Sequence, residues 1–381
     1  MTSLLIVAGE TSGDIHGANL ARALRSLDPG VSIAGVGGLH MREAGVELIH
    51  DVTAHATVGV VEVVQNFGRY ASLYRRLQSE LRRRRPDAVV LIDSPDFNLR
   101  FAARVADHGI PVVYYVSPQI WAWRSGRIKT IRKVVRKMLV ILDFEEKLYR
   151  DAGVDVAFVG HPLLDAERQV DREAVRRELG SPRLLVGLLP GSRRKQFRSL
   201  FPVYREAAAR IARACPDVRF VVGCAPAIAP SEAAVDGFRV LWNRTPEIMA
   251  ASDLLLVSSG TATLEAAMYG TPMIVSYRLN PLTAYAFGPI VRMHIKDFAL
   301  VNIVAGRRVV PELYQRKASP ERIAEEAVGL LRGNGLDAMR AELREVRRKM
   351  GAPGASRRAA EEVLAVARGR AAASGPRATG P

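Results

Sequence analysis

DLLLVSSGTATLEAAMYGTPMIVSYR, Asp253 to Arg278, is the stretch whose reading decides the fold. An apolar run ends in two serines and a glycine, a helix-like segment with Glu265 in its first turn follows, and a second apolar run, PMIVSY, starts just after Gly270. A short continuous apolar run bounded by turn residues reads as a strand buried on both faces. Strand, helix and strand in that order form a βαβ unit, which makes the two strands parallel.

The same rhythm runs through the sequence that precedes it. SLLIVAGE, VSIAGVGG, DAVVLID, PVVYYVS and KMLVILD lie upstream, and LLVGLLPG, RFVVGC, DLLLVSSG and PMIVSY lie further on. Between the two groups stands GHPLLDAERQVDREAVRRELGSPR, polar and helical in character, so two α/β domains with parallel sheets join between Gly160 and Pro182. The C-terminal SRRAAEEVLAVARG has helical spacing, and the Ala/Gly/Pro/Ser-rich RAAASGPRATGP after it is expected to fray.

Composition bounds the function. The 381 residues are too many for one ordinary core, and 48% hydrophobic content suffices to fill two. No apolar run reaches the length of a membrane span, and MTSLLIVAGE lacks the basic flank of a signal peptide, so a cytoplasmic location is expected. Cys215 and Cys224 are the only cysteines, too few for a disulfide framework or a zinc quartet. Fifty-five Lys and Arg against 39 Asp and Glu give a net charge of +16, which points to an anionic partner: nucleic acid, an anionic membrane surface or a phosphorylated substrate.

In open α/β sheets ligands bind beyond the carboxyl ends of the strands, so the residues after each apolar run carry the chemistry. After DLLLVSS, Gly260, Thr261, Ala262 and Thr263 open a helix whose free N–H groups and dipole suit a phosphate, and Glu265 can accept hydrogen bonds from both hydroxyls of a ribose. The loop also reads as an ordinary capped turn with an acidic first turn. In LPGSRRKQ, Gly191 permits close backbone approach, and Arg193, beside Ser192, can grip a phosphate through two N–H groups. Two such loops in one domain favour a nucleotide. Neither a Walker A loop nor a complete dinucleotide fingerprint is present, which disfavours an ATPase or a dehydrogenase. In IDSPDFN, Asp93 can act as a general base or can be turn chemistry, and Asp96 reads as a helix N-cap. The segment YYVSPQIWAWRSGRIKTIRKVVRK, with Trp121 and Trp123 among Arg and Lys, suits nucleic acid or a solvated basic helix. His16, His50, His55 and His161 lack metal-ligand spacing and read as structural.

Taken together, VAGETSGD, VGVVEV, IDSPDFN, YVSPQIWAWR, GHP, LPGSR, ASDLLLVSSGTATLEAAMYGTPMIVSYR and LVNIVAGRRVVPELYQ resemble the lipid-A-disaccharide synthases, glycosyltransferase family 19. The resemblance runs from about Val7 to about Gln315, and SPQIWAWR and NIVAGR are its most specific parts. It implies a GT-B fold: two Rossmann-like domains facing across a cleft, with the last helix crossing back to the first domain. The implied boundaries are 1–165 plus about 350–368 for an acceptor-binding domain, 166–349 for a UDP-sugar domain, and 369–381 for a flexible tail. The implied reaction joins UDP-2,3-diacylglucosamine to 2,3-diacylglucosamine 1-phosphate (lipid X) with inversion, giving a β-1,6 disaccharide and UDP, with no cofactor and no metal. Carried over by position, Asp93 is the essential aspartate. Gly191, Ser192, Arg193, Ser259, Gly260, Thr261, Ala262, Thr263, Glu265 and Asn302 bind substrate, and Glu10, Ser12, Gly13 and Asp14 form an acceptor-side loop. His16 in GDIHG is a histidine the family does not need. A homodimer is a further implication. Two other readings remain, a UDP-GlcNAc 2-epimerase-like GT-B enzyme and a basic nucleic-acid-binding protein. Nucleic acid is not the partner that the clustered strand-end loops favour.

The acylated substrates imply peripheral contact with the anionic cytoplasmic face of the inner membrane. The segment Val58 to Arg85 supplies Val60, Val61, Val63, Val64, Phe67, Leu73 and Leu77 beside Arg69, Arg75, Arg76 and the run Arg82 to Arg85, the pattern either of an interfacial helix or of a helix whose apolar side packs on the sheet and whose basic side is solvated.

Overall fold

A computed structural model describes residues 1–51, 67–121, 124–233, 237–278 and 297–374. The chain divides into two compact units, Met1–Asp165 with Gly351–Pro381, and Ala166–Met350.

The first unit holds β1 (Ser3–Ala8), α1 (Thr11–Leu27), β2 (Ser32–Gly37), α2 (Leu39–Glu43), β3 (Glu47–Asp51), α3 (Phe67–Arg84), β4 (Ala88–Ile92), α4 (Pro95–Asp107), β5 (Val112–Tyr115), α5 (Arg127–Val134), β6 (Lys137–Val140), α6 (Asp143–Asp151) and β7 (Val156–Phe158). Its strands are all parallel, in the order β3-β2-β1-β4-β5-β6-β7. Alternate residues of β1 serve opposite faces, as the two-residue repeat of a strand requires. Leu4 and Ile6 pack with Leu20 and Leu24 of α1, whereas Leu5 and Val7 pack with Leu77 and Leu81 of α3 and Phe101 and Val105 of α4.

The second unit begins with α7 (Arg172–Glu178) and continues through β8 (Leu184–Leu189), α8 (Arg194–Ala214), β9 (Val218–Cys224), α9 (Pro230–Ala233), β10 (Arg239–Trp242), α10 (Thr245–Ala251), β11 (Leu254–Ser258), α11 (Ala262–Met268), β12 (Met273–Tyr277), α12 (Leu300–Ala305), β13 (Glu312–Tyr314), α13 (Pro320–Arg332) and α14 (Gly335–Lys349). Its parallel order is β10-β9-β8-β11-β12-β13. Both units are therefore doubly wound α/β sheets, and each reverses its strand order once: between β1 and β4 in the first, between β8 and β11 in the second.

Helix α15 (Ala355–Ser374) belongs to the first unit although it follows the whole of the second in sequence. Its Ala359, Ala360, Val363, Leu364 and Ala367 join the core formed by β1 and α1, and the alanines let the helices approach closely. Asp165, at the end of the first unit's main segment, accepts the N–H groups of Gly354 (2.6 Å), Ala355 (3.0 Å) and Ser356 (2.9 Å), so one carboxylate ties the chain's exit to its re-entry. The helix runs to Ser374, five residues beyond the expected start of the tail, because the intervening RAAAS is a good helix former.

The membrane-facing segment is only partly as expected. Val60, Val61, Val63 and Val64 lie outside the described residues, as does the side chain of Phe67. Leu77 is fully buried against the sheet and so not available to a bilayer, and Leu73 is partly buried beside it. Arg84 is paired with Glu47 and Glu80, Arg83 is paired with Glu80 while remaining exposed, and Arg75, Arg76, Arg82 and Arg85 are exposed. Asp96 is not a helix cap: Ser94 occupies that position, and Asp96 forms ion pairs with Arg124 (2.7 Å) and Arg127. No described helix is long and apolar enough to cross a membrane.

Burial works to raise the Asp165 carboxyl, but the N–H groups of residues 354–356 prevail and hold it below the usual carboxylate range. A lowered carboxyl stabilises the fold above its ordinary pKa, and that contribution is lost as pH falls through the folded value. Asp165→Ala is accordingly expected to cost the first unit about 2 kcal/mol at neutral pH, in the range of a helix cap, and less in acid. Urea titration at both pH values measures it.

Candidate active site

The first unit's reversal point is built by the loops leaving β1 and β4. Glu10 is the N-cap of α1, and Asp93 and Ser94 follow Ile92. Both Asp93 (φ 49°) and Ser94 (φ 44°) are left-handed, a conformation that persists only where the surroundings enforce it. The enforcement is visible. The Asn98 amide donates to the carbonyls of Ile92 (3.0 Å) and Asp93 (2.8 Å), the Tyr114 hydroxyl donates to the same Asp93 carbonyl (2.5 Å), and the Asp93 N–H donates to Tyr115 (3.3 Å). A Cβ at Gly9 would stand 2.6 Å from the Ser94 hydroxyl, so only glycine lets the β1 loop close on this turn. Burial raises the Asp93 carboxyl, and the charge of Glu10 raises it further, against a hydrogen bond from the Ser94 N–H. A half-buried carboxylate with raised basicity at a strand's carboxyl end is suited to take a proton from a hydroxyl.

The second unit's reversal point brings together the two loops the sequence singled out. Gly191, Ser192 and Arg193 follow β8, and Ser259, Gly260 and Thr261 follow β11, its neighbour in the sheet. Gln196 bridges them: its side chain lies where a Cβ on Gly191 would fall (2.5 Å to Oε1), and its amide donates to the Ser259 carbonyl at 3.5 Å. Ser192 and Arg193 are exposed, and Arg193 is near enough to Tyr277 to act on it electrostatically. The N–H groups of Gly260, Thr261 and Ala262 find no acceptor among the described residues, while Thr263 spends its hydroxyl on the Gly260 carbonyl (2.9 Å). Glu265, half-buried on α11, has no hydrogen bond or ion pair with a described residue, and burial raises its carboxyl. A depression of about 460 Å³ between Arg183, Asp217 and Arg239 lies at the opposite, amino-terminal edge of this sheet, away from these loops.

Other candidates are placed as internal supports. Asp14 is fully buried and accepts the N–H groups of Gly38 (2.6 Å), His40 (3.1 Å) and Met41 (3.0 Å), with the His40 ring at 2.9 Å, so it holds the turn between β2 and α2. Ser12 is exposed on α1 and Gly13 is packed beside Ala8. Asn302 is 1% exposed, with its amide divided among Val309, Val310 and Glu312. Ser259 donates its hydroxyl to Phe298 (3.0 Å). No group of three His, Cys, Asp or Glu among the described residues is arranged to hold a metal ion. Asn98, Tyr114 and Gln196 were not read from the sequence. Asn98 stands inside IDSPDFN and Gln196 inside LPGSRRKQ, but which turn residue carries the hydrogen bonds is set only by the fold.

The lipid-A-disaccharide synthetase family profile matches residues 4–366. The chain belongs to the lipid-A-disaccharide synthase family. It is 46% identical over 379 residues to the lipid-A-disaccharide synthase of Anaeromyxobacter dehalogenans, covering 96% of this chain and 97% of that one. With the enzyme of Syntrophus aciditrophicus it shares 43% over 372 residues, covering 95% and 97%. Among solved structures it resembles the calicheamicin glycosyltransferase CalG4 (17% identity, TM-score 0.62, 96% and 98% covered) and the UDP-GlcNAc 2-epimerase from Neisseria meningitidis (13%, TM-score 0.57, 96% and 100% covered). The fold is GT-B, and the chain is an enzyme of the family that forms the lipid A disaccharide. The epimerase likeness is one of fold.

Removing a negative charge beside an acid favours its ionised form. Glu10→Gln is therefore expected to lower the pH at which the Asp93 carboxyl ionises, read by carbon NMR of that carboxyl. An unmoved or raised ionisation would show that Asp93 does not feel Glu10.

Proposed function

We propose that this enzyme joins UDP-2,3-diacylglucosamine to 2,3-diacylglucosamine 1-phosphate with inversion at the anomeric carbon. The observation that carries the reading is the pairing of LPGSR with SSGTATLE at one reversal point, leaving Arg193, three backbone N–H groups and Glu265 unengaged among the described residues. In this reading the N–H groups and Arg193 receive the diphosphate, and Glu265 receives the ribose hydroxyls. Asp93 takes the proton of the acceptor's 6-hydroxyl as that oxygen bonds to the anomeric carbon. The bond to UDP breaks on the opposite side, and its electrons leave with the diphosphate, whose charge Arg193 and the turn stabilise. Inversion follows because no enzyme group bonds to the sugar.

The acylated substrates put the first unit near a lipid surface. Ile15 (42% exposed) and Leu39 (52% exposed) are large apolar side chains on α1 and α2, which Asp14 ties together, and Arg75, Arg76, Arg82 and Arg85 supply exposed positive charge. We infer peripheral contact with an anionic bilayer, each cation near the surface adding about 1 kcal/mol.

Two variants separate the roles. Glu265→Ala is expected to weaken UDP binding by about 1–3 kcal/mol, as loss of hydrogen bonds to a charged group does. Asp93→Asn is expected to leave UDP binding intact and to lower turnover by roughly 10²- to 10⁴-fold. Calorimetry with UDP and steady-state rates with both acylated sugars read the two effects, and intact UDP binding in the first variant or near-normal turnover in the second removes the assignment. For the membrane, phosphatidylglycerol vesicles should pellet the wild-type chain at low salt but not at high salt, and should pellet a variant with Arg75, Arg76, Arg82 and Arg85 changed to serine less; equal pelleting places the contact elsewhere.

A further inference from the structure

Glu145, in the first turn of α6, is 2% exposed, and its two side-chain hydrogen bonds reach one short loop. Its Oε1 accepts from the Ser117 hydroxyl (2.7 Å) and from the Trp121 indole N–H (3.0 Å). Two further residues of α6 hold the same loop. The Tyr149 hydroxyl donates to the Pro118 carbonyl (3.1 Å), and the Phe144 ring meets Trp121 edge to face at 5.5 Å. The loop is SPQIW, Ser117 to Trp121, part of the stretch that most sharply marked the sequence.

The loop leaves β5 through Val116, a β-branched residue in a left-handed conformation (φ 62°). Such a backbone is held only where its surroundings over-determine it. Here α6 lies on one side of the loop, and on the other β5 is bound to Asp93 through the Tyr115 carbonyl and the Tyr114 hydroxyl. The loop therefore starts two residues after Tyr115, which lies on the strand that pairs with Asp93's own and accepts the Asp93 N–H. Burial raises the Glu145 carboxyl to about 7 against the hydrogen bonds from Ser117 and Trp121, so a neutral acid is accessible near physiological pH. Its Oε2 is buried with no hydrogen-bond partner among the described residues.

We propose that Glu145 is a positioning residue for the transferase reaction: it fixes the Ser117–Trp121 loop beside Asp93 and so shapes the acceptor's place. The proposal rests on the reading of Asp93 as the base. The group works as an acceptor of two hydrogen bonds and not as a charge, and an amide carbonyl in the same place does the same work.

The test uses the full chain and three variants: Glu145→Gln, Glu145→Ala, and Trp121→Phe combined with Ser117→Ala. Gln keeps the acceptor atom, and its activity is expected within about threefold of wild type. The alanine variant is expected to lose roughly 10- to 100-fold in acceptor kcat/KM, the scale of a small misplacement at a reacting centre, with UDP affinity unchanged within twofold. The double variant removes both donors while keeping an aromatic ring against Phe144. It is expected to show the same acceptor-specific loss and decides the matter if the alanine variant does not fold. Acrylamide quenching gives a reading independent of turnover, since freeing the loop exposes Trp121 in the alanine variant and not in the glutamine one. Acceptor kcat/KM within twofold of wild type in the folded alanine or double variant overturns the proposal. So does a glutamine variant as impaired as alanine, which would mean that the charge is needed. Loss of the Asp93 assignment alone shows instead as a fully active Asp93→Asn, whatever the Glu145 variants do.

Discussion

A parallel sheet has a direction. Every strand of a unit ends at the same edge, and every connection must return behind the sheet, so the residues that follow the strands gather on one side. Where the strand order reverses, the helices on either side lead away to opposite faces and leave the strand ends uncovered. Each unit here has one such place. In the first it is flanked by Glu10 and Asp93, and in the second by Gly191–Arg193 and Gly260–Glu265. The positions of these residues in sequence are scattered over more than 250 residues, and the topology alone makes neighbours of them within each unit.

The two reversal points are built differently. In the second unit the loops are joined loosely, through one long Gln196 contact, and the groups suited to an anion are left without partners among the described residues. In the first unit the backbone is clamped. Asp93, Ser94 and Val116 are all left-handed, and Asn98, Tyr114, Glu145 and Tyr149 hold them and the loop after them with hydrogen bonds from side chains that are themselves buried. Open N–H groups suit a ligand that brings its own charge and supplies its own order. The buried network fixes the backbone that carries the Asp93 carboxylate in place before any ligand arrives, and strained backbone persists only where its surroundings hold it.

Nine strands were legible as apolar runs, and all nine are interior strands. The four that were not, ELIHD, VAF, RVLW and ELY, are the four sheet edges β3, β7, β10 and β13. An interior parallel strand is covered on both faces and reads as unbroken Val, Leu and Ile, whereas an edge strand is half exposed and its polar residues hide it. The site divides in the same way. Asp93, Arg193 and Glu265 were legible because loops after apolar runs draw attention. Glu145 and Gln196 sit in the first turns of amphipathic helices, where an acidic or polar residue is commonplace, and Asp14 and Asn302 read as substrate-side residues although the fold buries them among internal hydrogen bonds. Sequence shows which residue types stand at strand ends, and only the packed structure shows which of them face solvent and which hold the others.

The division of labour between the two reversal points is open to one direct measurement, amide hydrogen exchange of the full chain with and without UDP. Protection is expected at residues 191–197 and 259–265, with exchange at 93–98 and 116–121 unchanged. Protection concentrated at 93–98 while 259–265 stayed unprotected would contradict it, because the nucleotide would then occupy the first unit and Asp93 would lie in a nucleotide site, not beside an acceptor hydroxyl.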